Sequence, residues 1–368
     1  MKKPVVVCGA SGYTAKLIIE FLRSFQVPFI AAGRNRDRVE AAMKLIPGIE
    51  TADYEIAELP TDVADLKKLF AGSKVVCNTV GPFVQHAEPT IQAALEAGCH
   101  YLDTTNEQNY MMPMRDKYGA EFARKQLLLA PSTAHMCTIM ETAAEACLAE
   151  SEVDTIEGVC IVSGTPTPGS TQTFIQSVTA EERYLEGGVL QLWRPCHSAE
   201  VRVPFTDRTL LALPWGGSGL PLWYQDDPRV QSVRTMAAFT NRDLMEGVLK
   251  IYSHYHANLR QLPEDGQREA LARIAAGMQP GAPPRENPMI HRNWDTIIGS
   301  STTKTVRYTI YSHCGYQITG LLQAFAANWL IKHPPRAFGF QGAAHAFGYE
   351  RILSVLEKFG YGKLVRGN

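Results

Sequence analysis

The residues best suited to hold a ligand lie in a short stretch near the start of the chain. An apolar run there leads into Gly9, Gly12 and Ala15, spaced three apart between a predicted strand and a predicted helix. Gly9 permits a tight turn, Gly12 lets a pyrophosphate approach the backbone, and Ala15 allows the helix to pack closely on the strand. The helix N-terminus adds unpaired N–H groups. This spacing predicts a dinucleotide-binding turn, with a strand-to-helix corner that holds no ligand as the alternative.

Two hydroxyl side chains add donors to this turn. The residues predicted to surround the pyrophosphate are Gly9, Ser11, Gly12, Tyr13 and Thr14.

Basic residues follow the second predicted strand, where an NAD-binding fold carries a carboxylate for the ribose. Arg34 can instead form a bidentate pair with a 2′-phosphate, worth roughly 1.5–3 kcal/mol. Asn35 can donate a further hydrogen bond, and Arg38 lies one helical turn beyond Arg34. These residues predict NADP(H) rather than NAD as cofactor. The alternative is that the arginines are ordinary solvent-exposed residues at the start of a helix.

Later strand ends predict further cofactor contacts. Asp62 and Val63 follow the third strand, where a carboxylate can meet the adenine amino group and an apolar side chain can cover the ring. The loop after the fourth strand is predicted to border the nicotinamide, through Thr79, Val80, Gly81 and Pro82. Each assignment has an ordinary loop as its alternative, but all lie at strand carboxyl ends, where such sheets bind ligands.

Hydride transfer also needs a group that polarises or protonates the acceptor. His135 follows a predicted strand end, and Tyr110 and Glu107 follow the preceding strand with Asp103. We predict His135, Tyr110 and Glu107 as the catalytic residues. A hydrogen-bonded structural histidine is the alternative for His135, and an orienting role for Glu107. No metal is expected, because His254 and His256 cannot share one helix face.

Aromatic residues in long loops predict an apolar substrate pocket or lid. The residues assigned to it are Phe83, Trp215, Trp223 and Tyr224. A small satellite core under the loops is an equally good interpretation. If they line a pocket, the substrate is largely hydrophobic.

The elements that must position these residues follow from the pattern of the whole chain. The first third of the 368 residues alternates apolar strands with helices, which predicts an α/β fold with a Rossmann-type doubly wound parallel sheet. Longer strands from about Thr155 predict a second mixed α/β domain. The expected boundaries are 1–135 for the cofactor domain, with helices of about 340–368 packing back on it, and 136–339 for the substrate and dimerisation domain.

Composition excludes several classes of partner. With 45% hydrophobic and 20% charged residues and a net charge of −1, the chain is expected to be a globular protein with no nucleic-acid partner. Eight scattered cysteines indicate reduced thiols and a cytoplasmic location. The late apolar stretch "GYQITGLLQAFAANWLIK" contains several polar residues and predicts a buried helix rather than a membrane span. A chain of this size is expected to form a homodimer.

Four stretches together resemble the saccharopine dehydrogenase-like oxidoreductases, including bacterial trans-acting enoyl reductases. They are "GASGYTAKL", "AGRNRDRV", "NTVGPFVQHAEPTIQAALEAGCHYLDTTNE" and "GYQITGLLQAF". The resemblance covers roughly the first 150 residues well and the rest more thinly. It implies a Rossmann domain, an α/β substrate domain and NADP(H). The chain departs from it at "APSTAHMCTIMET", near the presumed reaction centre.

Three functions remain open from the sequence. The first is an NADPH-dependent reductase of an activated double bond, an enone or enoyl C=C, in a largely apolar substrate. The second is a saccharopine-type amino-acid dehydrogenase acting through C=N, which predicts that cationic residues converge on a substrate carboxylate, from among Arg183, Arg202, Arg292 and Arg307. The third is a non-catalytic NADPH sensor whose second domain contacts a protein.

Overall fold

The computed structural model describes residues 2–150, 152–214, 217–278 and 281–367. The chain divides into two compact units, each built from separate stretches of sequence. The first comprises Met1–Thr105, Tyr110–Thr138 and Tyr316–Phe359. The second comprises Asn106–Asn109, Ile139–Gly315 and Gly360–Asn368.

The strands of the described residues are numbered in chain order. They are β1 (Val5–Cys8), β2 (Phe29–Gly33), β3 (Tyr54–Glu58), β4 (Val75–Asn78), β5 (His100–Asp103), β6 (Leu128–Ala130), β7 (Thr155–Val162), β8 (Arg183–Glu186), β9 (Val189–Leu192), β10 (Ala199–Arg202), β11 (Thr209–Leu213), β12 (Ser232–Phe239), β13 (Arg292–Ser300), β14 (Thr305–His313), β15 (Gly339–Phe340) and β16 (Gly362–Gly367).

The α-helices are numbered in the same way. They are α1 (Tyr13–Ser24), α2 (Arg36–Met43), α3 (Val63–Phe70), α4 (Phe83–His86), α5 (Glu88–Ala97), α6 (Gln108–Arg124), α7 (Met140–Leu148), α8 (Pro168–Gln176), α9 (Leu220–Trp223), α10 (Arg242–His254), α11 (Glu264–Met278), α12 (Gly315–Lys332), α13 (Ala343–Phe347) and α14 (Tyr349–Lys358). A π-helical turn, His135–Ile139, precedes α7.

The first unit contains a seven-stranded sheet in the order β15-β6-β5-β4-β1-β2-β3. Every described strand pair in it is parallel. β1 and β4 lie at its centre and consist of buried residues throughout, as expected when helices cover both faces of a sheet. The predicted Rossmann-type sheet is confirmed.

Helix α12 completes the first unit from late in the chain. Most of its residues are buried, as its apolar sequence predicted. It approaches α1 so closely that a Cβ on Gly320 would lie 2.8 Å from the backbone carbon of Leu17. Glycine is therefore required at this crossing. None of the described helices combines the length and apolar composition needed to cross a bilayer.

The second unit contains a nine-stranded mixed sheet whose main path is β10-β11-β12-β7-β13-β14-β16. β12 pairs with β7 in parallel, whereas β13 pairs with both β7 and β14 in antiparallel fashion. Helix α7 packs on one face, where a Cβ on Gly158 would lie 2.6 Å from the terminal methyl of Met140. This mixed α/β unit confirms the second part of the predicted fold.

The C-terminal segment contains two helices followed by a strand, where the sequence predicted helices throughout about 340–368. Gly348 has a positive φ of 88° and separates α13 from α14, since a side chain there would overlap the guanidinium of Arg336. The chain then ends its described part in a strand, β16, which pairs with β14 in the second unit. The return to the first unit spans 316–359, where the sequence placed it at about 340–368.

Candidate functional site

The turn after β1 has the backbone that a bound pyrophosphate requires. Gly9 has a φ of 82°, a conformation that favours glycine, and a Cβ there would lie 2.7 Å from Thr79 Oγ1. The N–H groups of Gly9 and Ala10 both donate to the carbonyl of Ala32, which fixes the turn against β2.

Helix α1 leaves its first turn open to an anion. Its N-cap is Gly12, which provides no side-chain cap, and no acidic residue lies in the first turn. The first N–H groups of a helix have no partner within it, and they carry a partial positive charge. Ser11 and Thr14 are partly exposed beside this terminus. The Tyr13 ring contacts the ring of Tyr316 edge to face at 5.2 Å.

The arginines after β2 differ in their contacts. Arg36 pairs with Glu40 at 3.0 Å and donates to the carbonyl of Ile56. Arg34 and Arg38 are exposed, and their side chains form no ion pair or hydrogen bond with any described residue. Asn35 is the N-cap of α2, where its Oδ1 accepts from the Arg38 N–H at 2.9 Å.

The two residues predicted to meet the adenine lie at the start of α3. Asp62 is the N-cap, and its Oδ1 accepts from the Asp65 N–H at 3.0 Å. Its other carboxylate oxygen can still accept a bond. Val63 begins the helix and is half-buried.

The predicted nicotinamide loop is anchored to the central strands. Thr79 Oγ1 donates to the Cys8 carbonyl at 2.8 Å, and the Val80 N–H donates to Asn78 Oδ1 at 3.1 Å. The Gly81–Pro82 peptide is cis. Loop 79–82 therefore lies against residues 9–12, the turn predicted to hold the pyrophosphate and called the phosphate turn below. Both lie at the carboxyl ends of β1 and β4.

Of the predicted catalytic residues, Tyr110 has its hydroxyl hydrogen already engaged. It is buried and donates to Asp103 Oδ2 at 2.7 Å. Burial raises the pKa of Asp103 to about 6, although hydrogen bonds from Tyr110, Ser132 and Thr105 oppose that shift. Burial also raises the pKa of Tyr110 well above its usual value.

His135 and Glu107 fall in different units. His135 begins the π-helical turn of the first unit, is 3% exposed, and its backbone N–H donates to Thr319 Oγ1 at 3.1 Å. A π-helical turn often marks a functional site. Glu107 is also buried, but it belongs to the short segment Asn106–Asn109 of the second unit.

That segment is held within the second unit by side-chain amide bonds. Gln108 accepts from the Arg183 N–H at 2.7 Å and donates to the carbonyls of Arg183 and Ser218. Ser218 Oγ donates to the carbonyl of Asn106 at 2.9 Å. These bonds fix the backbone on both sides of Glu107.

The predicted pocket residues are distributed over both units. Phe83 is buried in the first unit, where its ring lies 5.9 Å from that of Tyr110. Trp223 and Tyr224 are buried in the second, and the Tyr224 hydroxyl donates to Glu145 Oε1 at 2.8 Å. Trp215 lies outside the described residues.

Two features of the second unit were not predicted. Glu182 is a buried carboxyl whose Oε1 has no hydrogen-bond partner among the described residues, and burial raises its pKa to about 8. An open groove of about 640 Å³ lies on one sheet face beside Val159 and Thr296, and it is also lined by Arg202 and Arg307. Arg202 pairs with Asp207 at the groove edge.

Sequence reasoning also missed Asn78 and Tyr101, which are buried beside Asp103. For Asn78 the available signal was a polar side chain at the carboxyl end of the otherwise apolar strand in "KVVCN"; Tyr101, inside β5, has no such signal. Buried polar groups need hydrogen-bond partners, so the Asn78 position predicts a network.

Comparison with known proteins identifies both parts of the chain. Residues 5–125 match the family model of the saccharopine dehydrogenase NADP binding domain. Residues 138–365 match the model of a family of unknown function, DUF5938.

Individual relatives agree with the family models. A human saccharopine dehydrogenase-like oxidoreductase is 31% identical over 145 residues, covering 35% of this chain and 33% of the relative. A protein of Mycobacterium tuberculosis described as a trans-acting enoyl reductase is 32% identical over 127 residues, covering 32% and 29%. The match thus spans about a third of each relative's length.

The fold of the whole chain also has a solved counterpart. Saccharopine dehydrogenase (L-Glu forming) from Saccharomyces cerevisiae superposes with a TM-score of 0.65 over all of both chains, at 14% identity. The resemblance found in the sequence is confirmed. The chain belongs to the DUF5938 family of unknown function, and its N-terminal part is similar to the NADP-binding domain of the saccharopine dehydrogenases.

Proposed function

We propose that the protein is an NADPH-dependent reductase of an activated C=C bond, conjugated to a carbonyl, in a largely apolar substrate. One observation carries the cofactor preference. Arg34, next to the carboxyl end of β2, is exposed and forms no ion pair with any described residue, while Arg36 two positions on is paired with Glu40. A guanidinium at that position suits the 2′-phosphate of NADPH and leaves NADH without an equivalent contact.

The residues around the turn fit the dinucleotide. Gly9 has no Cβ, and a Cβ there would overlap Thr79, so glycine keeps this turn compact. The uncapped N-terminus of α1 offers N–H donors to a pyrophosphate. When bound, NADPH supplies a hydride from its nicotinamide ring. The protein's own part is to bind the two phosphate regions, to hold the loop 79–82 beside the ring and to protonate the reduced substrate.

We assign the proton-donor role to His135 in preference to Tyr110. The Tyr110 hydroxyl already donates to Asp103 within the first unit, so it has no second hydrogen to give. Histidine titrates near neutral pH and commonly serves as a general acid. Glu107 is assigned an orienting role, because the bonds of Gln108 and Ser218 fix its segment.

The enoyl substrate is favoured by the likeness of residues in the cofactor domain to the mycobacterial relative and by Trp223 of the second unit, a buried aromatic residue predicted to line an apolar pocket. A second candidate, reduction through C=N of an amino-acid-type substrate, is favoured by one observation. Arg202 and Arg307, two of the four arginines considered for a substrate carboxylate, line the same groove.

Measuring NADPH oxidation at 340 nm against matched panels separates the two. We expect turnover with medium-chain enones or enoyl thioesters and none with 2-oxo acids plus amino acids. The reverse pattern would support the C=N candidate. Binding of NADPH without turnover on either panel would contradict both.

Replacing His135 with asparagine tests the donor. We expect kcat to fall by about 10²- to 10⁴-fold with the Kd for NADPH unchanged. Tyr110→Phe should leave a rate far above that of the His135 variant, and the opposite ranking would overturn the assignment.

A further inference from the structure

A chain of buried side chains connects the ends of β4 and β5 in the first unit. Asn78 Nδ2 donates to the Tyr101 hydroxyl at 3.0 Å, the Tyr101 and Tyr110 hydroxyl oxygens lie 3.2 Å apart, and the Tyr110 hydroxyl donates to Asp103 Oδ2 at 2.7 Å. All four residues are at most 2% exposed. The network therefore operates without competition from bulk water.

The carboxylate at one end fixes the direction of every bond in this chain. Ionised Asp103 can only accept, so Tyr110 must point its single hydrogen at Asp103. Tyr101 lies within hydrogen-bonding reach of both the Tyr110 oxygen and the carboxylate, so its hydrogen is directed to one of these two acceptors. In both cases the Tyr101 oxygen accepts from the amide of Asn78. A charge at Asp103 thus determines which way the Asn78 amide faces.

The orientation of Asn78 determines a contact in the predicted nicotinamide loop. With its NH₂ group on Tyr101, the amide presents Oδ1 to the N–H of Val80, 3.1 Å away. If the amide turned over, an N–H would face an N–H. Next to it, Thr79 contacts both the Cys8 carbonyl and the position that a Gly9 Cβ would occupy. The network therefore ends at the surface where loop 79–82 meets the phosphate turn.

Asp103 is itself held rigidly on its other side. Its Oδ1 accepts from the N–H groups of Ser132 and Thr105 at 2.8 and 3.0 Å. The side-chain amide of Gln323 in α12 donates to the backbone carbonyl of Asp103 at 2.6 Å and to the backbone carbonyl of Thr133 at 2.9 Å. The carboxylate is thus held by two backbone N–H groups, and the backbone of Asp103 is held by α12.

We infer that Asp103, Tyr110 and Tyr101 are positioning residues that orient Asn78 and thereby hold loop 79–82 in the conformation that binds the nicotinamide half of NADPH. This inference rests on the proposed placement of that loop beside the nicotinamide. The alternative is that the four side chains only satisfy one another's hydrogen-bonding groups in the core, with no effect on the cofactor.

Removing single hydroxyl groups distinguishes these cases. Tyr101→Phe takes away the acceptor of Asn78, and Tyr110→Phe cuts the chain next to the carboxylate. Tyr118→Phe is the matched control, since Tyr118 is also buried, lies on the same helix as Tyr110 and loses one hydroxyl bond to a carboxylate, that of Glu88 at 3.0 Å.

Two ligands report separately on the two halves of the site. 2′,5′-ADP occupies the adenosine half alone, whereas NADPH also needs loop 79–82. By titration calorimetry we expect Tyr101→Phe to raise the Kd for NADPH by about tenfold and to leave that for 2′,5′-ADP unchanged. Tyr110→Phe should act in the same direction, and Tyr118→Phe should change neither.

Hydrogen exchange provides a readout that needs no ligand. In the free protein the amide of Val80 should exchange faster in Tyr101→Phe than in Tyr118→Phe, at equal thermal stability. Equal exchange together with equal NADPH affinity in the two variants would overturn the inference. If the unmodified protein binds neither ligand, the cofactor site itself is wrong, while the exchange experiment still tests the network. Should Tyr101→Phe not fold, Tyr110→Phe is compared with Tyr118→Phe in the same two measurements.

Discussion

A Cβ on Gly9 would lie 2.7 Å from Oγ1 of Thr79, so the phosphate turn and the loop after β4 share one surface with no space for a methyl group. Both the backbone conformation and the packing at position 9 require glycine. Its backbone has the positive φ of 82°, and its neighbour leaves no room for a side chain.

Gly9→Ala should therefore be more destabilising than backbone strain alone. The left-handed conformation costs about 1–2 kcal/mol for alanine, and forced overpacking adds about 1–3 kcal/mol. Gly98→Ala is the control, because Gly98 has a φ of 75° with no atom within 4 Å of its Cβ position. Urea unfolding of both variants measures the difference. Equal losses would show that Thr79 simply moves away.

Arg34→Ala should weaken the binding of NADPH without weakening the binding of NADH. Loss of a charge-assisted pair of about 1.5–3 kcal/mol corresponds to a rise in the Kd for NADPH of roughly 10- to 150-fold. Arg36→Ala, which removes a neighbouring guanidinium already paired with Glu40, should leave both affinities close to those of the parent protein. Titration calorimetry at 0.05 and 0.2 M salt measures these values. An equal loss for NADH would contradict the 2′-phosphate contact.

The buried carboxyl of Glu182 should make stability depend on pH. Burial raises its folded-state pKa from the model-compound 4.5 to about 8, so the folded protein binds a proton more tightly than the unfolded chain between these values. Stability contributed by this group is present below about pH 4.5 and falls by about 1.4 kcal/mol per pH unit until about pH 8.

Glu182→Gln removes this titration. The difference in unfolding free energy, parent minus variant, should decline from pH 5 to pH 8 and then level off. The exposed neighbour offers a control, since Glu181→Gln should follow the parent protein across the same range. If the difference in unfolding free energy between the parent and Glu182→Gln did not change with pH, the Glu182 carboxyl would have a hydrogen-bond partner in solution.

Tyr224→Phe should lower stability and leave substrate affinity unchanged. The Tyr224 hydroxyl is buried and donates to a carboxylate, Glu145, so its loss should cost about 1.5–3 kcal/mol. Tyr308→Phe removes a similar but less buried bond to Glu150 and should cost less. Thermal unfolding measures both. A raised KM in Tyr224→Phe would instead favour the predicted pocket role.

The alternation of short strands and helices was enough to predict the parallel sheet, because its central strands β1 and β4 are buried on both faces and come from nearly uninterrupted apolar runs. The phosphate turn was also readable, since Gly9 and Gly12 lie at a fixed spacing from β1. By contrast, β16 was missed. Its sequence "GKLVRG" has little strand character, and its pairing with β14 is supplied by the rest of the second unit.

The candidate site was predictable only where local sequence determines the contact. Tyr110 and Asp103 were both recognised, but their hydrogen bond depends on a helix folding back over β5, which no spacing reveals. The break at Gly348 shows the same limit. Its neighbours have helical periodicity, and neither the positive φ of Gly348 nor the approach of the Arg336 side chain can be read from that periodicity.

The crossing of Gly320 over Leu17 has a consequence for synthesis of the protein. Helix α1 leaves the ribosome some three hundred residues before α12, the helix that covers it. Until α12 has been made, the apolar face of α1 that it covers stays exposed in the nascent cofactor domain, where chaperones can bind it. The cofactor domain can therefore be completed only after most of the second unit has been translated.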